Sequence, residues 1–445
     1  MIEKQFATLP VKKVFFSLTL PGILSMLFSS IYMMADGIFV GHFIGEHALA
    51  AVNLVTPVMM IIFALSNMIA VGSSVKVSTT MGEGQIEKAK NIFTASVLMI
   101  IGLGFVFSIL GILFTKPLIN ILIKDPILAE MAYDYVSYFT IGLPFIMPLF
   151  AMDNFLRACG KAKYSMWINI MVSLLNIFLD WLFIAQFGWG IGFSALASVI
   201  SMFIGAFFSF FPFFTGKITL HFAKPKISLS ETIGIVYNGA SEFFGNIAGS
   251  FIATIINVFL LNLGGAIAVA SFGIVMYIDT LLIGILYGIL DAIQPAVSYN
   301  LGANEIKRTL SFFKITSITT ASVSLVCMTI ILLFPQFLVG IFTKDNNLEI
   351  INMTVAALFL FAPSYLFTWF NMVTSAFLTS MDKPKESMLI MTFRAVIFPL
   401  ICLFGLTSFM GVYGVFFTAT LSNALTFIVA FIIWRKYAKA LKDSI

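Results

Sequence analysis

Charge is what this chain has least of. Asp, Glu, Lys and Arg make up 10% of its 445 residues, against roughly 25% in a soluble domain. So few charges cannot cover a water-soluble body, and the surrounding medium is therefore lipid. Cysteine is scarce as well: Cys159, Cys327 and Cys402 stand singly in apolar runs. Their isolation excludes a CxxC pair or metal-ligand spacing and leaves inert core thiols. There is no His/Asp-rich catalytic motif, no Ser-His-Asp arrangement and no phosphate-cradling glycine loop, so a membrane-embedded enzyme finds no support. A channel would need a pore-loop segment, and none is visible. No nucleic-acid partner, no obligatory protein partner and no cofactor is implied. What remains is 60% hydrophobic residues, 50 Phe, 23 Met and a mean hydropathy of +1.04. Phe and Met suit contact with membrane lipids, and Met also suits adaptable surfaces that accept varied ligands.

A helical span needs about 20 mostly apolar residues. With Gly, Pro and charge clusters as punctuation, the chain divides into twelve spans: 14–40, 50–80, 91–115, 130–156, 162–186, 191–214, 233–261, 269–299, 311–335, 350–378, 386–408 and 412–434. The first continues past the length of a signal-peptide core without a cleavage site and reads as an uncleaved span. The basic residues then orient the array. Alternate loops collect Lys12, Lys13, Lys88, Lys90, Arg157, Lys161, Lys163, Lys217, Lys224, Lys226, Lys307, Arg308, Lys383 and Lys385, with Lys4 and the tail bases at the termini. The opposite loops hold only Lys116, Lys124 and Lys344. The positive-inside rule places both termini in the cytoplasm of a multi-pass protein of the plasma membrane. Lys76, near the inner end of span 2, is expected to snorkel to the interface.

The halves of the chain resemble each other. "MGEGQIEKA" (81–89) lies over "LGANEIKRT" (301–309), and Lys124-Asp125 over Lys344-Asp345; position 82 with 302 and 125 with 345 share one offset of 220. "GKAKYSM" (160–166) lies over "DKPKESM" (382–388), two residues further on. The expected organisation is an N-lobe (1–214), a linker with the character of an amphipathic surface segment (215–232), a C-lobe (233–434) and a tail (435–445). An even number of spans per half gives both lobes the same orientation, related by an axis along the membrane normal. The fold class is thus an all-α integral membrane protein, twelve transmembrane helices in two pseudo-symmetric six-helix lobes.

Three segments carry a family resemblance: "LPGILSMLFSSIYMMADGIFVG" (20–41), "DNFLRACGKAKYSM" (153–166) and "IQPAVSYNLGANEIKR" (293–308). On them the chain resembles the MATE (multidrug and toxin extrusion) transporters over its whole length. The resemblance implies two six-helix lobes and export of cationic or amphipathic molecules in exchange for protons or sodium. The loop after span 2 lacks the Gly/Asp/Arg-rich signature of the other large twelve-span transporter class.

Acids inside spans are costly and are functional candidates by default, at about 2.5–3.5 kcal/mol each on insertion scales. Asp36 in span 1 and Asp180 in span 5 lie at similar depth in the outer half. Tyr32 and Asn176 sit one turn from them on the same helix faces, Ser198 of span 6 comes near that level, Tyr135 of span 4 is a further candidate for the same cavity, and Asn154 lies deeper on that span. Asp36, Asn176 and Asp180 match the acidic N-lobe pattern of the prokaryotic branch of the resembled family; Tyr32, Asn154 and Ser198 extend it. Two acids sharing an apolar lobe repel when both are ionised, so the pair can hold and release a proton. The same oxygens could equally form a hard cage for Na+. In the other half Glu242, Asp291 and Arg394 form a second expected cluster, read as an ion cluster or inner gate, with Asp279 a further buried acid. "HFIGEH" (42–47) offers His42, Glu46 and His47 but no third firm ligand, so no metal site is assigned. The expectation is a proton- or sodium-coupled antiporter for small amphipathic or cationic molecules. A flippase for a lipid-linked saccharide is the alternative.

Overall fold

The computed structural model describes residues 5–216, 218–342 and 348–443. Lys4, Lys217, Lys344 and Asp345, which entered the charge and repeat comparisons above, lie outside them. Among the described residues the chain is all helix, turn and extended linker. The spanning helices are α1 (Val11–Ile44), α2 (Glu46–Gly82), α3 (Ile86–Ile121), α4 (Pro126–Ala158), α5 (Ala162–Gln186) and α6 (Ile191–Phe214) in the first half. In the second half a single helical run, Leu229–Gly302, is broken at Gly265, whose φ of 66° and ψ of −160° turn the chain back. It therefore supplies two spans, α7 (229–264) and α8 (266–302). They are followed by α9 (Ile306–Leu333), α10 (Leu348–Ser380), α11 (Pro384–Met410) and α12 (Val412–Asp443). The expected twelve spans are thus present, most of them longer than expected because their ends continue as helix beyond the apolar core.

The repeat shows in the turns. Gly45 and Gly265 both take positive φ (117° and 66°), as do Gly84 and Asn304 (80° and 59°) and Gly160 and Asp382 (71° and 55°). In each pair the second residue stands where the repeat offset puts it. Asn and Asp are the side chains that tolerate this left-handed region, so the backbone of each turn is retained where the glycine is not.

The lobes meet at the end that carries the basic loops. A methyl group on Gly82 (α2) would stand 2.1 Å from the Tyr299 carbonyl oxygen (α8), and one on Gly302 (α8) 2.1 Å from that of Thr79 (α2). These two contacts are repeat images of each other. Further from the loops, Gly72 presses on Ile235 O, Gly239 on Met68 O and Gly22 on Gly288 O, with 2.0, 1.8 and 2.2 Å available to a methyl carbon. Glycine permits this close backbone approach between spans. Residues 69–75 of α2 and 292–300 of α8 are buried, whereas Leu54, Val58, Met60 and Ile61 of α2 are exposed. The lobes are therefore sealed at the basic end, and α2 turns apolar side chains outward towards the other end. The linker crosses that end extended, with Ile218 and Leu220 inward, His221 outward and Ala223 N donating to Thr94 Oγ1 (3.0 Å).

Candidate functional site

Packing of α1 against α5 and α6 brings the N-lobe acids together. Asp180 closes the α-helical part of its span and Asp36 lies in the last turn of its own: a π-helical turn follows Asp180 directly at Trp181–Gln186, and another follows the helix of Asp36 at Val40–Ile44. Such turns break the regular ladder and re-aim the neighbouring side chains, and they recur at functional sites. Ser194 Oγ of α6 donates to Asp36 Oδ1 (2.6 Å). One turn along α6, Ser198 Oγ accepts from Asn176 Nδ2 (2.9 Å). Asn176 and Asp180 have no exposed surface (0%). Tyr32 and the buried Tyr135 lie close enough to both carboxyl groups to feel their charge.

Three buried oxygens stand out in this arrangement. Asn176 Oδ1 and both carboxyl oxygens of Asp180 are buried without a protein donor. The nearest candidate is the Asp36 carboxyl, which faces Asp180 but donates only when it carries a proton. A buried acceptor left unpaired costs roughly 1–3 kcal/mol, more when charged. A proton or a small cation placed between the two acids removes that cost, and oxygen donors of this kind suit a hard ion.

Asp36, Asp180, Asn176, Tyr32 and Ser198 are thus assembled in one place, and Tyr135 joins them. Asn154 does not. Its Nδ2 donates to Phe150 O of its own helix (2.9 Å), and it lies about 19 residues, roughly 28 Å of helical rise, beyond Tyr135 on α4. Ser194 is the member that sequence reasoning missed; its signal was the spacing of four from Ser198, which puts both hydroxyls on one face of α6.

The second cluster also forms. Glu242, Asp291 and Arg394 surround a void of about 10 Å³ with Tyr287 and Gln294, although among the described residues no ion pair within 4 Å joins the three. Arg394 sits on a third π-helical turn, Phe393–Ile397. The cluster reaches across the lobe boundary, because Asp291 also feels Arg157 and Asp153 of α4. Arg157 was expected as a loop base; it is 3% exposed and pairs with Asp153 at 2.5 Å. Asp153 accepts further from Ser165 Oγ and from Asn169 Nδ2 (2.9 Å). The Asp-to-Arg spacing of four inside "DNFLR" was the available signal. Lys76, expected to snorkel, is partly exposed and reaches Asp382, in a turn of the opposite half, at 3.8 Å. Among the described residues no group of three or more His, Cys, Asp or Glu side chains is placed to hold a metal ion.

The arrangement defines a class: a membrane carrier with polar groups enclosed in each of two lobes. A profile of the MatE family matches residues 21–182 and again 243–404, well over half the chain and once per repeat. The chain belongs to the MATE family of transporters and is not an enzyme. It is similar to the multidrug export protein MepA of Staphylococcus aureus (strain NCTC 8325 / PS 47), 27% identical over 439 residues, covering 96% of this chain and 94% of that one. MepA of Staphylococcus haemolyticus (strain JCSC1435) is 25% identical over 427 residues, with 94% and 92% covered. The fold of this chain is that of a MATE protein solved in complex with MaL6, with a TM-score of 0.94 at 24% identity over 99% of both chains. It is also that of a multidrug resistance MATE family transporter solved in an outward-facing conformation, with a TM-score of 0.93 at 24% identity over 99% and 98%.

Proposed function

We propose that this protein is a secondary active exporter of small cationic or amphipathic molecules, driven by inward flow of protons or Na+ and working by alternating access. The proposal takes both termini and the sealed, basic end of the lobes as cytoplasmic, following the distribution of loop lysines. It takes 1–214 and 233–434 as the moving lobes, 215–232 as the strap between them and 435–445 as the tail. The plasma membrane is its location. Export of varied compounds is what the names of the MepA relatives describe, and it suits a membrane carrier of this composition.

The observation that carries the coupling role is the buried Asp180 carboxyl, whose oxygens meet no donor but the Asp36 carboxyl. A bound cation would relieve the pair and draw α1 and α5 together; its release would let them separate. The ion thereby acquires the differential affinity for two states that coupling requires. Glu242, Asp291 and Arg394, with Arg157 and Asp153 beyond them, act in this reading as the inner gate. A saccharide flippase would need a cationic cavity, and the acids Asp36, Asp180, Glu242, Asp279 and Asp291 argue against one.

The test is ethidium efflux from reconstituted vesicles under an imposed proton or sodium gradient, with wild type and Asp36→Asn at matched protein levels. Wild type should respond to one gradient and the variant to neither. An Asp36→Asn variant that pumps as well as wild type would remove coupling from this site.

A further inference from the structure

The C-lobe contains a cavity of about 310 Å³ between α7, α8, α10, α11 and α12, a volume within the range of small-molecule sites. Its walls are mostly apolar, with Ile252, Ile256, Phe272 and Val415 among them, and it is lined by one carboxylate, Asp279, and one guanidinium, Arg394. Asp279 is held by Tyr365, whose hydroxyl donates to Oδ1 (2.9 Å), and Tyr287 lines the wall beside Arg394. The two charges feel each other, yet among the described residues no ion pair within 4 Å joins them. Opposite charges fixed at a distance in an apolar chamber leave space for a ligand that meets both.

The repeat sharpens the point. Asp36 at the offset of 220 corresponds to Ile256, which lines this cavity. The chamber is therefore the C-lobe counterpart of the acidic site, with different chemistry. In the other direction Asp279 corresponds to Met59, and Arg394, at the offset of 222 that holds beyond the second loop match, to Val172; both are buried and apolar. The two charges are accordingly no part of the scaffold that the halves share.

We propose that this cavity is a second substrate subsite, taking zwitterionic amphiphiles whose cationic group faces Asp279 and whose carboxylate faces Arg394. The N-lobe pair, which has only acids, would not accept the carboxylate. The inference rests on the export reading but not on the coupling role of Asp36.

Gly249 provides the probe. It lines the cavity, and a methyl carbon there would meet nothing within 4 Å, so a side chain at this position starts in open space and Gly249→Leu is expected to take up room in the chamber. It also replaces a poor helix former with a good one. The full chain in lipid nanodiscs is titrated, with fluorescence anisotropy as readout, against a fluorescent quinolone bearing an amine and a carboxylate, its methyl ester, and ethidium. Wild type should bind the zwitterion at least about tenfold tighter than the ester, since a charge-assisted contact to Arg394 is lost in the ester. Gly249→Leu should weaken the zwitterion by at least about tenfold and leave ethidium unchanged. Asp279→Asn should weaken zwitterion and ester alike. Equal affinity for zwitterion and ester in wild type overturns the inference, whether or not any variant folds. So does a folded Gly249→Leu protein that binds the zwitterion normally, or one that loses ethidium as well. Zwitterion binding without any ethidium efflux would leave the subsite standing and defeat the export reading instead.

Discussion

Gly72→Ala tests what holds the two lobes together. The added methyl carbon would stand 2.0 Å from Ile235 O and 3.0 Å from Gly239 N, both backbone atoms of α7 that no rotamer change can move. Ordinary contact begins near 3.4 Å, so α2 and α7 must part by more than an ångström at this point. Overpacking of this kind costs about 1–3 kcal/mol, which corresponds to roughly a 5- to 150-fold shift between the sealed arrangement and any alternative. The arrangement open at the basic end loses this contact and escapes the cost. Spin labels at Gln85 and Glu305, exposed repeat-equivalent positions in the turns after α2 and α8, should report one short distance in wild type and an added longer population in the variant. Gly102→Ala is the control, because nothing lies within 4 Å of its methyl carbon. If Gly72→Ala matches the control in both distance distribution and melting temperature, the glycine seam does not hold the lobes and the reasoning fails.

Two further perturbations probe the polar network at the same end. Asp153→Ala strands Arg157, which is 3% exposed, and breaking a buried pair typically costs about 3–5 kcal/mol; the melting temperature should fall more than in the double Asp153→Ala/Arg157→Ala variant, and a worse double variant would contradict this. Arg308 donates from Nη2 to Phe6 O (2.6 Å) and Leu9 O (2.7 Å) and from Nε to Asn300 Oδ1 (3.1 Å), pinning the segment before α1 onto the second half. Arg308→Ala should therefore release that segment and speed tryptic cleavage at Lys12 or Lys13 by at least about tenfold; an unchanged rate would mean the segment is held by the packing of Phe6 alone.

The spans, their number and their duplication were legible because each rests on a local property. Twenty apolar residues in lipid must form a helix, since no water is present to satisfy the backbone. The Asp36, Asn176 and Asp180 positions were legible for the same reason: polar groups in such a run are rare and costly. Ser194, Arg157 and the C-lobe chamber were less so. Serine in a span commonly donates to its own helix, as Ser25 does to Pro21 O, so only packing reveals that Ser194 turns to Asp36. Arg157 carries the charge of a loop residue and the burial of a core one, and charge alone assigned it to a loop.

By itself the sequence determined that this chain is a membrane-embedded helical protein in two similar halves, with acids where lipid should exclude them. Composition and periodicity suffice for that, because the bilayer leaves the backbone almost no alternative. Only the tertiary structure decided which groups share a depth and a chamber. Asn154 was separated from the acidic pair, Asp291 was brought near Arg157 across the lobe boundary, and Asp279 and Arg394 were set in one cavity. Those relations depend on how helices distant in sequence cross, and crossing is governed by where glycine lets one backbone approach another.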